Sequence, residues 1–148
     1  MALLAPADQE KLRESFNEMT APVRLLFFTQ TLDCEPCEQT RRILDELPAL
    51  SDKIAIEEVN FILEQDKAAE YSVDRVPAIA VLGANGSGET TEDSRIRFLG
   101  TPAGYEFISL VQAIRLVGGT GSTLTADNRR RIAAVDRPVT MQVFTTPT

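Results

Sequence analysis

Two spacings of apolar residues alternate along the chain. Between Asp8 and Met19, Leu12, Phe16 and Met19 stand four and three apart with charges between them, which predicts an amphipathic helix capped by Asp8. Thr20-Ala21-Pro22 stops it, and Val23 to Phe28 follows as a nearly continuous apolar run, the pattern of a strand buried on both faces. Glu35 to Leu47 returns to the helical spacing, with Ile43, Leu44 and Leu47 turned inward. Lys53 to Phe61 alternates as a second strand, with Ile54, Ile56 and Glu58 on one face and Ala55, Glu57 and Val59 on the other. Asp66 to Tyr71 reads as a short helix. Ala78 to Leu82 and Arg95 to Leu99 read as a hairpin whose long polar tip is 83–94. Tyr105 to Val117, apolar at Phe107, Ile108, Val111, Ile114 and Leu116, is the last helix of the series. A parallel βαβ half followed by a ββα half predicts an α/β fold, a mixed sheet of about four strands between helices.

After residue 118 the pattern starts again. Gly118-Gly119-Thr120-Gly121-Ser122-Thr123 reads as a linker, and Ala126 to Val135 as a short helix. Setting Pro138 over Pro22 brings Val139 onto Val23, Phe144 onto Phe28 and Thr145 onto Thr29, and puts Ile132 on Phe16. Residues 1–118 are expected to be one complete unit, and 119–148 a linker with the first helix and strand of a second, incomplete one. A second unit's strand at Val139–Phe144 would lack neighbours, which predicts docking on the first unit or a homodimer.

Composition narrows the chemistry. The 148 residues carry a net charge of −7, and Arg129-Arg130-Arg131 is the one basic run, so a surface that tracks phosphates is not expected and nucleic acid is excluded as a partner. No apolar run approaches the length needed to span a membrane. The amino terminus turns acidic at Asp8 without a basic region, unlike a secretory signal, so a cytoplasmic setting is expected. Histidine is absent, which removes Ser–His and Cys–His nucleophile pairs and imidazole-bound metals. Dithiol–disulfide exchange is chemistry that survives without it, and it needs no added cofactor.

The two cysteines stand as Cys34-Glu35-Pro36-Cys37, after the buried strand and at the start of a helix. Two intervening residues let the sulfurs meet across one turn. The helix start offers free N–H groups and a positive dipole end, both of which favour a thiolate. Pro36 suits the first turn, where its missing N–H is not needed. Cys34 is then the exposed nucleophile and Cys37 the shielded resolving thiol. A structural disulfide closing so short a loop would add only about 2 kcal/mol. A two-thiol metal site would need ligands from another chain; the strand-to-helix placement favours exchange over both. Asp33, Glu35 and Glu38 surround Cys34, and their charge is expected to oppose its thiolate. Val76-Pro77 lies 40 residues beyond Cys37, directly before a strand.

Cys34-Glu35-Pro36-Cys37, Asp74-Arg75-Val76-Pro77-Ala78 and the run Arg97 to Phe107 (RFLGTPAGYEF) resemble the amino-terminal unit of the glutaredoxin-like protein disulfide oxidoreductases, within the thioredoxin superfamily. The resemblance covers nearly the whole chain. It implies a thioredoxin-like fold, with Cys34 and Cys37 as the redox pair and Pro77 as a cis-proline against it. The Val76 backbone would then pair with an extended substrate. It also implies protein thiols and disulfides as substrates, and a thioredoxin-reductase-like flavoprotein as electron donor. Such proteins carry a second CxxC unit, and this chain stops at Thr148, before one. No acid stands between Leu25 and Phe28 to relay a proton; Glu57 or Glu58 is the expected substitute. Gly100-Thr101-Pro102-Ala103-Gly104 is a poor match to a glutathione contact, which disfavours a glutathione-dependent enzyme. An electron-relay module of a peroxide-reducing system, or a non-catalytic scaffold, are the competing readings.

Overall fold

A computed structural model describes residues 3–146. Within them the elements follow as α1 (Pro6–Asn17), β1 (Val23–Thr29), α2 (Glu35–Asp45), β2 (Ile54–Asn60), α3 (Gln65–Glu70), β3 (Ala78–Gly83), β4 (Glu92–Leu99), α4 (Tyr105–Arg115) and α5 (Ala126–Ala133), with a π-helical turn at Leu116–Thr120. The first eight are the expected order. The strands form one sheet in the order β2-β1-β3-β4. β1 runs parallel to β2 and antiparallel to β3, and β4 is antiparallel to β3. Hydropathy tracks this order. The inner strands β1 and β3 are buried almost throughout, whereas β2 and β4 are buried in part, as edge strands are.

The alternation within β1 divides the core. Val23, Leu25 and Phe27 face Phe16 of α1, Leu44 of α2 and Leu110 and Ile114 of α4. Leu26 and Phe28 face the other way, toward Val59, Ala68 of α3 and Val73. Register places the site. Thr29 is opposite Asn60, Phe28 opposite Ala78, and Ala78 opposite Leu99. The segments following β1, β2 and β4, and the one preceding β3, therefore emerge at one end of the sheet.

Several expectations change in detail. Pro6 stands at the start of α1 with Ala5 as its N-cap, and Asp8 lies inside the first turn rather than capping it. β4 begins at Glu92, three residues before the expected start. A register shift between Ala80 and Leu82, with Arg95 at φ 64° and the Ser94 hydroxyl donating to the Val81 carbonyl (2.6 Å), breaks the alternation there. Gly118 is packed rather than free: its carbonyl accepts from Thr20 and Ala21 N–H, and a Cβ there would come within 2.5 Å of Met19. Beyond it, α5 forms as expected, its Thr125 side chain accepting from Asn128 N–H (3.2 Å). The expected strand at Val139–Phe144 does not form. Those residues take no regular structure and stay exposed, because no neighbouring strand supplies their backbone hydrogen bonds.

Candidate redox site

The site grows from the β1–α2 connection. Gln30 Nε2 donates to the Leu32 carbonyl (2.8 Å), and Asp33 turns the chain through φ 55° into Cys34, the N-cap of α2. Cys34 and Cys37 form a disulfide with their Cα atoms 5.3 Å apart. Cys34 is half-buried, whereas Cys37, on the inner face of α2, is only 2% exposed. Glu35 and Pro36 occupy the first turn between them and are exposed. Of the two sulfur-bearing residues, Cys34 is therefore the more open to solvent.

Pro77 follows a cis peptide bond from Val76; Pro77 is buried and Val76 half-buried. Two hydrogen bonds join this turn to the cysteine turn through the segment after β4. Gly100 N–H donates to the Pro77 carbonyl (2.9 Å), and the Thr101 hydroxyl donates to the Pro36 carbonyl (3.2 Å). Thr40, fully buried, donates to the same Pro36 carbonyl (2.8 Å), its oxygen 3.1 Å from that of Thr101. The reading of the sequence missed Thr40 and Thr101. A signal existed for Thr40, a polar residue in the inward row Cys37, Thr40, Leu44, Leu47; for Thr101, 61 positions away, there was none.

The acids divide. Glu38 is taken up by Arg42 one turn along (3.1 Å), while Asp33 and Glu35 flank Cys34 as exposed carboxylates. Lys67 of α3 and Arg24 of β1 hold the Glu57 carboxyl below the usual range, the Lys67 hydrogen bond weighing most. Glu58 faces α2 and pairs with Arg41 (2.9 Å), whose guanidinium lies over the Phe27 ring. Both acids are engaged by cations. Among the described residues, no group of three or more His, Cys, Asp or Glu is arranged to hold a metal ion, and no helix is long and apolar enough to cross a membrane.

An apolar fringe lies on the segments that emerge beside the disulfide. Leu32 (77% exposed), Leu63 (81%) and Tyr105 (81%) are its most open members, with Ile62 and Leu99 about half exposed.

No protein-family model matches the chain. A probable thioredoxin of Methanothermobacter thermautotrophicus is 29% identical over 79 residues, 53% of this chain and 80% of that protein. Among solved structures, the alkylhydroperoxide reductase AhpF of Enterococcus faecalis aligns with a TM-score of 0.78 at 28% identity, over 90% of this chain and 61% of that one. A protein disulfide oxidoreductase from Aeropyrum pernix aligns with a TM-score of 0.72 at 26% identity, over 88% of this chain and 54% of that one. The chain spans about three fifths of the AhpF structure and about half of the oxidoreductase. Sheet order, a disulfide at a helix start and these likenesses agree: the chain belongs to the thioredoxin superfamily, similar to archaeal probable thioredoxins, to AhpF and to a protein disulfide oxidoreductase.

Proposed function

We propose that the chain is a thiol–disulfide oxidoreductase that exchanges the Cys34–Cys37 pair with protein thiols and disulfides. One observation carries this reading: an accessible Cys34 bonded to a buried Cys37 at the start of α2. In the reduced protein, the N–H groups and dipole of the α2 start favour the Cys34 thiolate. That thiolate attacks a substrate disulfide, a mixed disulfide forms, and Cys37 resolves it. Val76, next to Pro77 at the same sheet end, offers backbone groups to an extended substrate segment. The fringe of Leu32, Ile62, Leu63, Leu99 and Tyr105 suits a protein substrate better than a small polar thiol such as glutathione. Asp33 and Glu35 restrain the Cys34 thiolate by charge, and Pro36 fixes the turn between the sulfurs.

The working partner is a thioredoxin-reductase-like flavoprotein, in a reducing cytoplasmic setting where a dithiol is regenerated. The AhpF likeness favours a second reading within the same chemistry, an electron relay in a peroxide-reducing system. It also supports the reading of 119–148 as the opening of a second unit. The alignment covers 90% of this chain, whereas residues 1–118 are about 80% of its 148 residues.

Insulin reduction by dithiothreitol tests the proposal. The wild-type chain is expected to accelerate it and Cys34→Ser to lose the acceleration. Equal turnover by Cys34→Ser would reduce the pair to a structural staple.

A further inference from the structure

Thr29, the last residue of β1, is 2% exposed, and its hydroxyl has no hydrogen-bond partner in the structure. An unpaired buried hydroxyl is destabilising, and native proteins carry few of them. Its surroundings explain why this one is kept. Phe27 and Thr29 point to the same face of the sheet, the face on which Leu44 and Leu47 of α2 pack. Because β1 and β2 are parallel and α2 connects them, α2 runs antiparallel to β1. Arg41 sets the alignment of helix on strand. Its guanidinium is 5.8 Å from the Phe27 ring centroid and pairs with Glu58, the residue beside Phe27 on β2. One turn back along α2, about 6 Å toward the redox end, is Cys37. Two residues on along β1, about 7 Å in the same direction, is Thr29. The orphan hydroxyl and the buried sulfur therefore occupy matching positions on facing elements.

The other buried hydroxyls are spoken for or distant. Thr40 is committed to the Pro36 carbonyl, and Thr90 sits in the β3–β4 loop at the far end of the sheet. In the oxidised pair, the Cys37 sulfur is bonded to Cys34 and carries no charge.

We propose that the Thr29 hydroxyl is the hydrogen-bond donor to the Cys37 sulfur once the disulfide opens. This rests on the exchange reading above. When a thiolate of an incoming dithiol bonds to Cys34 Sγ, the Sγ–Sγ bond breaks and its electron pair leaves on Cys37 Sγ. The second thiol of the reductant then displaces Cys34. Two electrons and two protons have passed, and the reductant departs as a disulfide. Thr29 stabilises the sulfur that leaves, and the same bond holds Cys37 ready when it attacks in the resolving step. The hydroxyl is thus unpaired in the oxidised state and paired in the reduced one, so it biases the pair toward the dithiol.

Equilibrium titration of the full chain against dithiothreitol, read by thiol alkylation, tests this with two variants. Thr29→Val, of the same shape without the hydroxyl, is expected to shift the equilibrium about three- to tenfold toward the disulfide, the scale of one hydrogen bond. That corresponds to a potential about 15 to 30 mV more negative. Thr29→Ser, which keeps the hydroxyl, is expected to stay within about twofold of wild type. Oxidised Thr29→Val should also unfold at no lower denaturant concentration than wild type, since the orphan is gone. An unmoved potential in Thr29→Val, whatever its stability, overturns the inference while leaving exchange intact. A pair that does not exchange with dithiothreitol at all overturns the proposed function and this inference together.

Discussion

At the scale of single residues, the two cysteines differ by one helical turn and by nearly everything that governs reactivity. Cys34 is half-buried at the N-cap, and Cys37, one turn along, is 2% exposed. The proposed function has charge near Cys34 opposing its thiolate, so Glu35→Gln is expected to move the alkylation profile of the reduced protein to lower pH. A profile that does not move would remove Glu35 from the account. Thr101 is the other residue with a local consequence, since its hydroxyl joins the Pro36 carbonyl to the segment bonded to Pro77. Thr101→Val should slow exchange with protein substrates more than with dithiothreitol, because a protein must touch both turns at once; an equal effect on both would argue against that bridge. The cysteine motif was legible from its spacing, and Val76-Pro77 as a cis-proline turn through the family resemblance. The meeting of Thr40 with Thr101 was not, because it depends on α2 and the β4–α4 loop packing together across 61 residues.

At the scale of elements, burial of the inner strands β1 and β3 follows from their nearly continuous apolar runs. What blurred the pattern was local geometry. The bulge at Arg95 hid the first three residues of β4, and Pro6 displaced the expected cap at Asp8. Two contacts hold helices to the sheet. One is apolar: Leu44 is fully buried against Phe27 and Leu47. Leu44→Ala should cost about 2–5 kcal/mol in denaturant unfolding; a cost near zero would mean α2 does not depend on that core. The other is ionic: Lys67 of α3 and Arg24 of β1 hold Glu57 of β2 in its charged form. A carboxyl with a lowered folded-state pKa stabilises the fold above its unfolded value, and that stability fades as the pH falls through and below about 4. Unfolding followed between pH 7 and pH 3 should therefore show a smaller acid-induced loss in Glu57→Gln than in wild type. Equal losses would mean that this ion pair contributes nothing.

At the scale of the whole molecule, the redox unit is closed by α4 and the packed glycine turn at Gly118, and everything from Gly121 to Thr146 is exposed. The expected second unit rests on matched residues alone, and the strand expected at Val139–Phe144 does not form among the described residues. Val139, Met141, Val143 and Phe144 stay more than 60% exposed, and Thr145 touches the unit through a hydrogen bond to Glu106 (2.6 Å). Such a segment favours self-association, so light scattering is expected to find a dimer that a chain ending at Thr120 does not form. A monomer at working concentration would return that segment to the status of a passive tail. The central claim stands apart from this, since it concerns Cys34 alone. Cys37→Ser removes the resolving thiol, so incubation with a disulfide-containing protein should trap a mixed disulfide at Cys34, visible as one covalent adduct by mass spectrometry. No adduct at Cys34, with the variant folded and its thiol alkylatable, would contradict thiol–disulfide exchange as the function of this site.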